Sequence, residues 1–167
     1  MPALTEQPAP PTVDAQTFRD AMALLAAPTT IVTTLDQDGR PWGFTASAVT
    51  SVSLDPPLLL VGVGRTSSCH RALVTAREFV VNVLGEQHQD MARRFARHGV
   101  DRFAGGGLTT LDGLPCLPDA RVVLRCRTTQ VTPAGDHDLL LGTVAEARIG
   151  LPGRSLVWYQ RAFHTTG

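Results

Sequence analysis

The chain alternates short apolar runs with turn signals rather than sustaining long helical periods. Phe18, Met22 and Leu25 recur at i, i+4 and i+7 behind Asp14, which predicts one amphipathic helix with an Asp N-cap that stops before Pro28. Thr29 to Leu35 is β-branched and predicts a strand. Asp36-Gln37-Asp38-Gly39 is a turn, and a second strand follows through Trp42 to about Ala46. Val49 to Leu54 and Leu58 to Val63 are two more strands, separated by Asp55-Pro56-Pro57. Ser67 to Ala76 reads as a short helix, Phe79 to Leu84 as a strand, and Glu86 to Ala96 as a helix with Met91 and Phe95 on one side. Gly99 to Gly113 is Gly-rich and reads mostly as loop. The stretch around Val122, Leu124 and Cys126 has a period of two and predicts a strand with one wet face. Pro133-Ala134-Gly135-Asp136 is a turn, His137 to Ile149 a strand, and Leu156 to Phe163 a last short one. Strands with tight turns dominate and helices are few. The pattern favours an antiparallel barrel or sandwich over an alternating βαβ sheet.

Residues 1–13 hold four prolines and little that can pack, so they are expected to form a flexible tail ahead of a single domain over 14–167. The 167 residues include 15 Arg, no Lys, and 15 Asp plus Glu, for a formal net charge of zero. A nucleic-acid partner is not expected, since displacing counterions from phosphates calls for a basic excess. The longest apolar run is too short for a membrane span, and no signal peptide is visible, so the expected compartment is the cytoplasm. Cys69, Cys116 and Cys126 lack the paired spacing of a zinc site or disulfide framework. They are read as free thiols, with no metal.

Gly62-Val63-Gly64-Arg65-Thr66-Ser67 imitates the start of a dinucleotide fingerprint, but the third Gly is replaced and the surroundings are not βαβ. What survives is a Gly/Ser/Thr-rich turn opening a helix, with Arg65 beside Thr66, Ser67 and Ser68, which is a possible anion cradle. Small and hydroxylated residues crowd the joint Thr45-Ala46-Ser47-Ala48, where a flat ring could approach the backbone. His137, just after a turn, can project into a cleft to orient a ligand or exchange a proton.

In order, these segments resemble the short flavin reductase family, the reductase components of two-component flavin-dependent monooxygenases. The resemblance is carried by Pro28 to Thr34, Asp38 to Ala48, Val49 to Leu58, Phe79 to Leu84, Gln87, Arg94-Phe95, Arg102-Phe103, Gly135-Asp136-His137 and Gly142-Thr143-Val144. It implies a mainly β fold, a closed antiparallel Greek-key split barrel with a few short peripheral helices. It further implies an NAD(P)H:flavin oxidoreductase that uses NADH or NADPH to reduce FMN or FAD. A homodimer and transient transfer of reduced flavin to a separate monooxygenase are also implied. A flavin-binding or delivery protein without turnover, on the same fold, is the alternative. On this resemblance Thr45, Ala46, Ser47, Ala48 and Ser51 would line the ring, and Arg65, Ser67 and Ser68 would hold phosphate. Phe103 and His137 would flank the nicotinamide, with Arg102 near the pyrophosphate. His137 would be the catalytic residue, orienting nicotinamide rather than serving as an obligatory acid.

Overall fold

The computed structural model describes residues 11–167; most of the expected tail therefore lies outside the described residues. Helix α1 spans Ala15–Ala23, and the Asp14 carboxylate accepts from the amides of Gln16 and Thr17, the capping expected from sequence. The apolar positions expected on this helix are not buried: Phe18 and Met22 of α1, and Leu25 just beyond its end, remain exposed. Twelve strands follow or flank it: β1 (Ala27–Pro28), β2 (Thr30–Leu35), β3 (Pro41–Ala46), β4 (Val49–Leu54), β5 (Pro57–Gly64), β6 (Glu78–Val83), β7 (Thr109–Leu111), β8 (Leu114–Cys116), β9 (Val122–Ala134), β10 (His137–Ile149), β11 (Leu156–Tyr159) and β12 (Ala162–Thr165). Helix α2 (His70–Thr75) lies between β5 and β6, and α3 (Gln89–Ala96) follows β6. Three residues of 3-10 helix, Glu86–His88, precede α3, where the sequence suggested one continuous helix.

Seven strands form one antiparallel sheet in the order β3-β2-β6-β9-β10-β5-β4. The outermost strands, β3 and β4, are consecutive in the chain and joined only by Ser47 and Ala48. Three residues reach roughly 11 Å at most. The two edges therefore meet at one corner, and the sheet must curl. The Gly62 amide bonds the Ala48 carbonyl there at 2.8 Å. β3 and β4 share no ladder among the described residues, so hydrogen bonding alone does not close the expected barrel. In β4, Ser51 pairs with Leu59 and Ser53 with Leu58. The extra residue is a bulge, which bends the strand near this seam.

The period-two rule divides the core. Ile31 and Val80 face one apolar cluster, with Phe95, Leu111 and Leu117. Val32 and Val81, one residue along, face the other, with Val61, Val63, Phe79 and Leu140. In that second cluster a Cβ on Gly142 would stand 2.7 Å from the Phe79 ring, so only glycine lets the ring lie against β10. Buried Asn82 ties the two sides together. Its amide donates to the Ile31 carbonyl at 2.9 Å, and its carbonyl accepts from the Leu117 amide at 2.8 Å.

Two hairpins differ from the sequence reading. The stretch taken as loop contains β7 and β8, joined by Asp112-Gly113 with both residues at positive φ. The expected last strand is two, β11 and β12, joined by Gln160 and Arg161, with φ of 48° and 60°. Non-glycine residues held there cost about 1–3 kcal/mol each. The turn is held to α1, where the Gln160 amide bonds the Ala23 carbonyl and Arg161 pairs with Asp20. All three cysteines are free and buried, and burial pushes the Cys126 thiol up to about 12.

Candidate functional site

A cleft of about 390 Å³ opens at the β3–β4 corner. One wall is the joint Thr45 to Ala48, the floor is Gly62 and Gly64 of β5, and the far side carries Thr66, Ser67, Asp136 and His137. His137 faces Gly64 across the β10–β5 ladder. A Cβ on Gly64 would lie 3.6 Å from His137 Nε2, and one on Gly62 would lie 3.9 Å from its Cδ2 and 3.0 Å from Ala48 Cβ. The imidazole thus lies over a strand stripped of side chains, leaving a slot with a flat floor.

Asp136 sets the chemistry of the ring. Its carboxylate is 2.7 Å from His137 Nδ1. A carboxylate can only accept, so Nδ1 carries the proton in this pair, and whenever the ring is neutral its Nε2 is the atom left with a lone pair on the cleft side. The hydrogen bond from His137, then the charge on that ring, hold the Asp136 carboxyl below its ordinary value. At the joint, the amides of Ser47 and Ala48 have no acceptor among the described residues, and neither does the Thr66 amide. These are polar edges without partners around a small-residue slot.

The other expected site residues divide by what they already hold. Thr45 reaches the cleft, but its hydroxyl donates to the Ala92 carbonyl of α3 at 2.6 Å. Ala46 is buried, and Ser47, Ala48 and Ser67 line the cleft directly. The Arg65 guanidinium is turned to Asp138 at 3.1 Å, where His70 Nε2 also bonds at 2.6 Å. Arg102 is buried, with Nε and Nη2 on the Arg97 carbonyl and Nη1 on the Gly43 carbonyl and Cys69 Sγ. Most of its donors are spent inside the protein. Ser51 is exposed on β4, outside the cleft lining. Ser68 and Phe103 line an adjoining recess on the other side of Arg102, where Phe103 also packs edge-on against Phe95 at 5.2 Å. Phe44, Phe95 and His98 also line the cleft, and the sequence reading gave none of them a site role. Phe44 and Phe95 entered it within the segments that carry the family resemblance, Phe95 also as a helix position, and nothing local marks His98.

The Asp138 cluster has an acid signature. The bond from His70 first and that from Arg65 second hold its carboxyl below the ordinary 3.8. A carboxyl depressed by folding contributes stability above its unfolded value, and that stability is lost as pH falls through the folded one. Thermal melts should therefore fall steeply below about pH 4, and Asp138→Asn should flatten that limb; an unchanged acid limb would mean the cluster carries no linkage.

Residues 22–167 match the family described as the flavin reductase like domain. An NADH:riboflavin 5'-phosphate oxidoreductase of Streptomyces pristinaespiralis is 59% identical over 96% of this chain and 93% of its own. A solved NADH:FAD oxidoreductase of Streptomyces globisporus, in complex with NAD and FAD fragments, superposes with a TM-score of 0.86 at 29% identity, covering 95% of this chain and 98% of that one. The styrene monooxygenase flavin reductase from Pseudomonas putida superposes with a TM-score of 0.83 at 26% identity, over 90% of this chain and 97% of that one.

Proposed function

The chain belongs to the flavin reductase like family, and on that footing we propose that it is an NADH-dependent flavin reductase working in the cleft beneath His137. It reduces FMN or FAD and supplies reduced flavin to a separate monooxygenase. The observation that carries the assignment of the site is the imidazole held over Gly62 and Gly64 beside the unpaired amides of Ser47 and Ala48. These residues fit a flat ring with a polar edge. The glycine floor lets a ring lie against the backbone, and the joint amides can bond its carbonyl and nitrogen edge. When both are bound, nicotinamide and flavin supply the hydride chemistry themselves, C4 to N5.

The protein's part is position and shielding. Its Nε2 lone pair lets His137 accept from a carboxamide N–H and so fix which face of the nicotinamide meets the flavin. Phe44 and Phe95 give the cleft apolar walls that displace water. Thr66 and Ser67, at the turn before α2, stand where a flavin phosphate would lie. In the same reading the curled sheet is the split barrel, two chains form a homodimer, and the compartment is the cytoplasm. The dimer is supported by the exposed apolar positions Val52 and Leu54 on the edge strand β4, Phe18 and Met22 on α1 and Leu25 just after it. No described helix is long and apolar enough to cross a membrane.

If His137 positions the donor, His137→Ala should lower the rate of hydride transfer by about 10–100-fold, the scale of a misplaced reacting group. Flavin affinity, read by fluorescence titration, should change by less than about threefold, or about 0.6 kcal/mol. Equal losses in both would make His137 a flavin-binding residue instead.

A further inference from the structure

Arg102 is the only buried arginine among the described residues, and it lines the cleft. Its donors reach neutral acceptors alone. Nε and Nη2 lie 3.0 and 2.7 Å from the Arg97 carbonyl, and Nη1 lies 2.9 Å from the Gly43 carbonyl and 2.7 Å from Cys69 Sγ. Arg102 forms no ion pair among the described residues. Arg125, which is less buried, has Glu78 at 2.6 Å, Asp112 at 3.3 Å and Glu146 at 3.6 Å. A buried charge is ordinarily paired, so the missing carboxylate sets Arg102 apart.

Hydrogen bonds to carbonyls satisfy the guanidinium N–H groups without cancelling the charge. The fork is thus not free to grasp a phosphate, yet its positive field still reaches the cleft. Little there opposes it. Asp136 is the one carboxylate in the cleft lining, and its side chain is 94% exposed, so water screens it. Asp138, the next residue after His137 on β10, is held by Arg65 and His70. Exposed Asp101 is turned to the amides of Phe103 and Ala104. His98 and His137 are the other titratable groups of the lining.

The reaction creates a charge for this field to act on. Hydride transfer breaks a C4–H bond of neutral dihydronicotinamide and forms an N5–H bond on neutral flavin. Two electrons and one proton cross together, so the nicotinamide leaves with a positive charge and the flavin ring gains a negative one. A fixed cation in a wall shielded from water stabilises such a charge without having to reorganise. Resting on the reductase reading above, we propose that the uncompensated charge of Arg102 is the electrostatic element of this cleft, favouring anionic reduced flavin over neutral oxidised flavin.

The test compares two affinities and does not depend on turnover. The full chain is titrated without oxygen, once with oxidised FMN and once with dithionite-reduced FMN, and the ratio of the two dissociation constants is taken. Arg102→Gln should shift this ratio about tenfold against reduced FMN, which corresponds to a fall of about 30 mV in the two-electron potential of bound flavin. Unit charges across a cleft wall, at an effective dielectric constant of about 20, carry a factor of that order. Cys69→Asp keeps Arg102 but supplies the absent carboxylate beside it, and should shift the ratio in the same direction. Arg102→Lys keeps the charge and loses the fork, so its ratio should stay within about twofold of wild type. The fold should survive these changes, since without the guanidinium the Gly43 carbonyl keeps the Cys69 thiol at 3.0 Å and Arg97 is exposed to water.

An unchanged ratio in Arg102→Gln or in Cys69→Asp, or an equal fall in Arg102→Lys, overturns the proposal. Arg102 is then a structural tie only, and the reductase reading is untouched. A ratio that shifts as expected in a protein that never oxidises NADH overturns the reductase reading and leaves this one standing. Protein that binds FMN in neither state overturns both.

Discussion

Replacing Gly62 with valine is expected to weaken flavin binding by about 100-fold, or about 2.7 kcal/mol. The first added carbon already meets Ala48 Cβ at 3.0 Å, and the two methyls beyond it must enter the slot under His137 or press on its ring. A crowded site typically loses about 1–3 kcal/mol. Valine suits an extended strand, and Gly62 sits in the middle of β5, so the fold should tolerate the change better than the cleft does. Gly62→Val with Ala48→Gly should recover part of the affinity by returning the space at the joint. Fluorescence titration with FMN and FAD reads all three proteins. Unchanged affinity in Gly62→Val would mean that the flavin does not lie over β5.

The site was partly legible in the sequence, for physical reasons. Local signals carried the turn before His137, the small-residue joint and the Asp14 cap, because each depends on a few adjacent residues. The missed β7–β8 hairpin had a signal, Asp112-Gly113, hidden among neighbouring glycines. The Gln160-Arg161 turn had none, since neither residue is a usual turn former at positive φ. Charge partners were not legible at all. Asp138 lies 73 residues from Arg65, and Gly43 lies 59 from Arg102. Only the folded sheet brings them together, so two arginines that looked free for phosphate are committed, and Arg97, which looked ordinary, is not. The curl of the sheet was similarly beyond local pattern, because it depends on how two edge strands meet at a two-residue joint.

Asn82→Ala is expected to be the most destabilising of the proposed changes. The side chain is fully buried, and each end of its amide satisfies a backbone group, the Ile31 carbonyl and the Leu117 amide. The Ile31 carbonyl keeps its place in the β2–β6 ladder opposite Asn82, but truncation leaves the Leu117 amide buried without a partner, at about 1–3 kcal/mol. For a chain of this size that corresponds to a fall in Tm on the order of 5 °C. The loss should appear in thermal melts of protein without flavin, because Asn82 lies in the core and not in the cleft lining. A shift of only a degree or two would mean that the Leu117 segment finds another partner.

The central claim is that this cleft passes hydride from a pyridine nucleotide to a flavin. The direct measurement is the loss of pyridine-nucleotide absorbance when purified protein is mixed with NADH or NADPH and FMN or FAD, in all four pairings. Steady NADH oxidation that depends on added flavin and slows sharply in His137→Ala is the predicted result. Protein that binds flavin but oxidises no nucleotide in any pairing would contradict it and leave a flavin carrier without turnover.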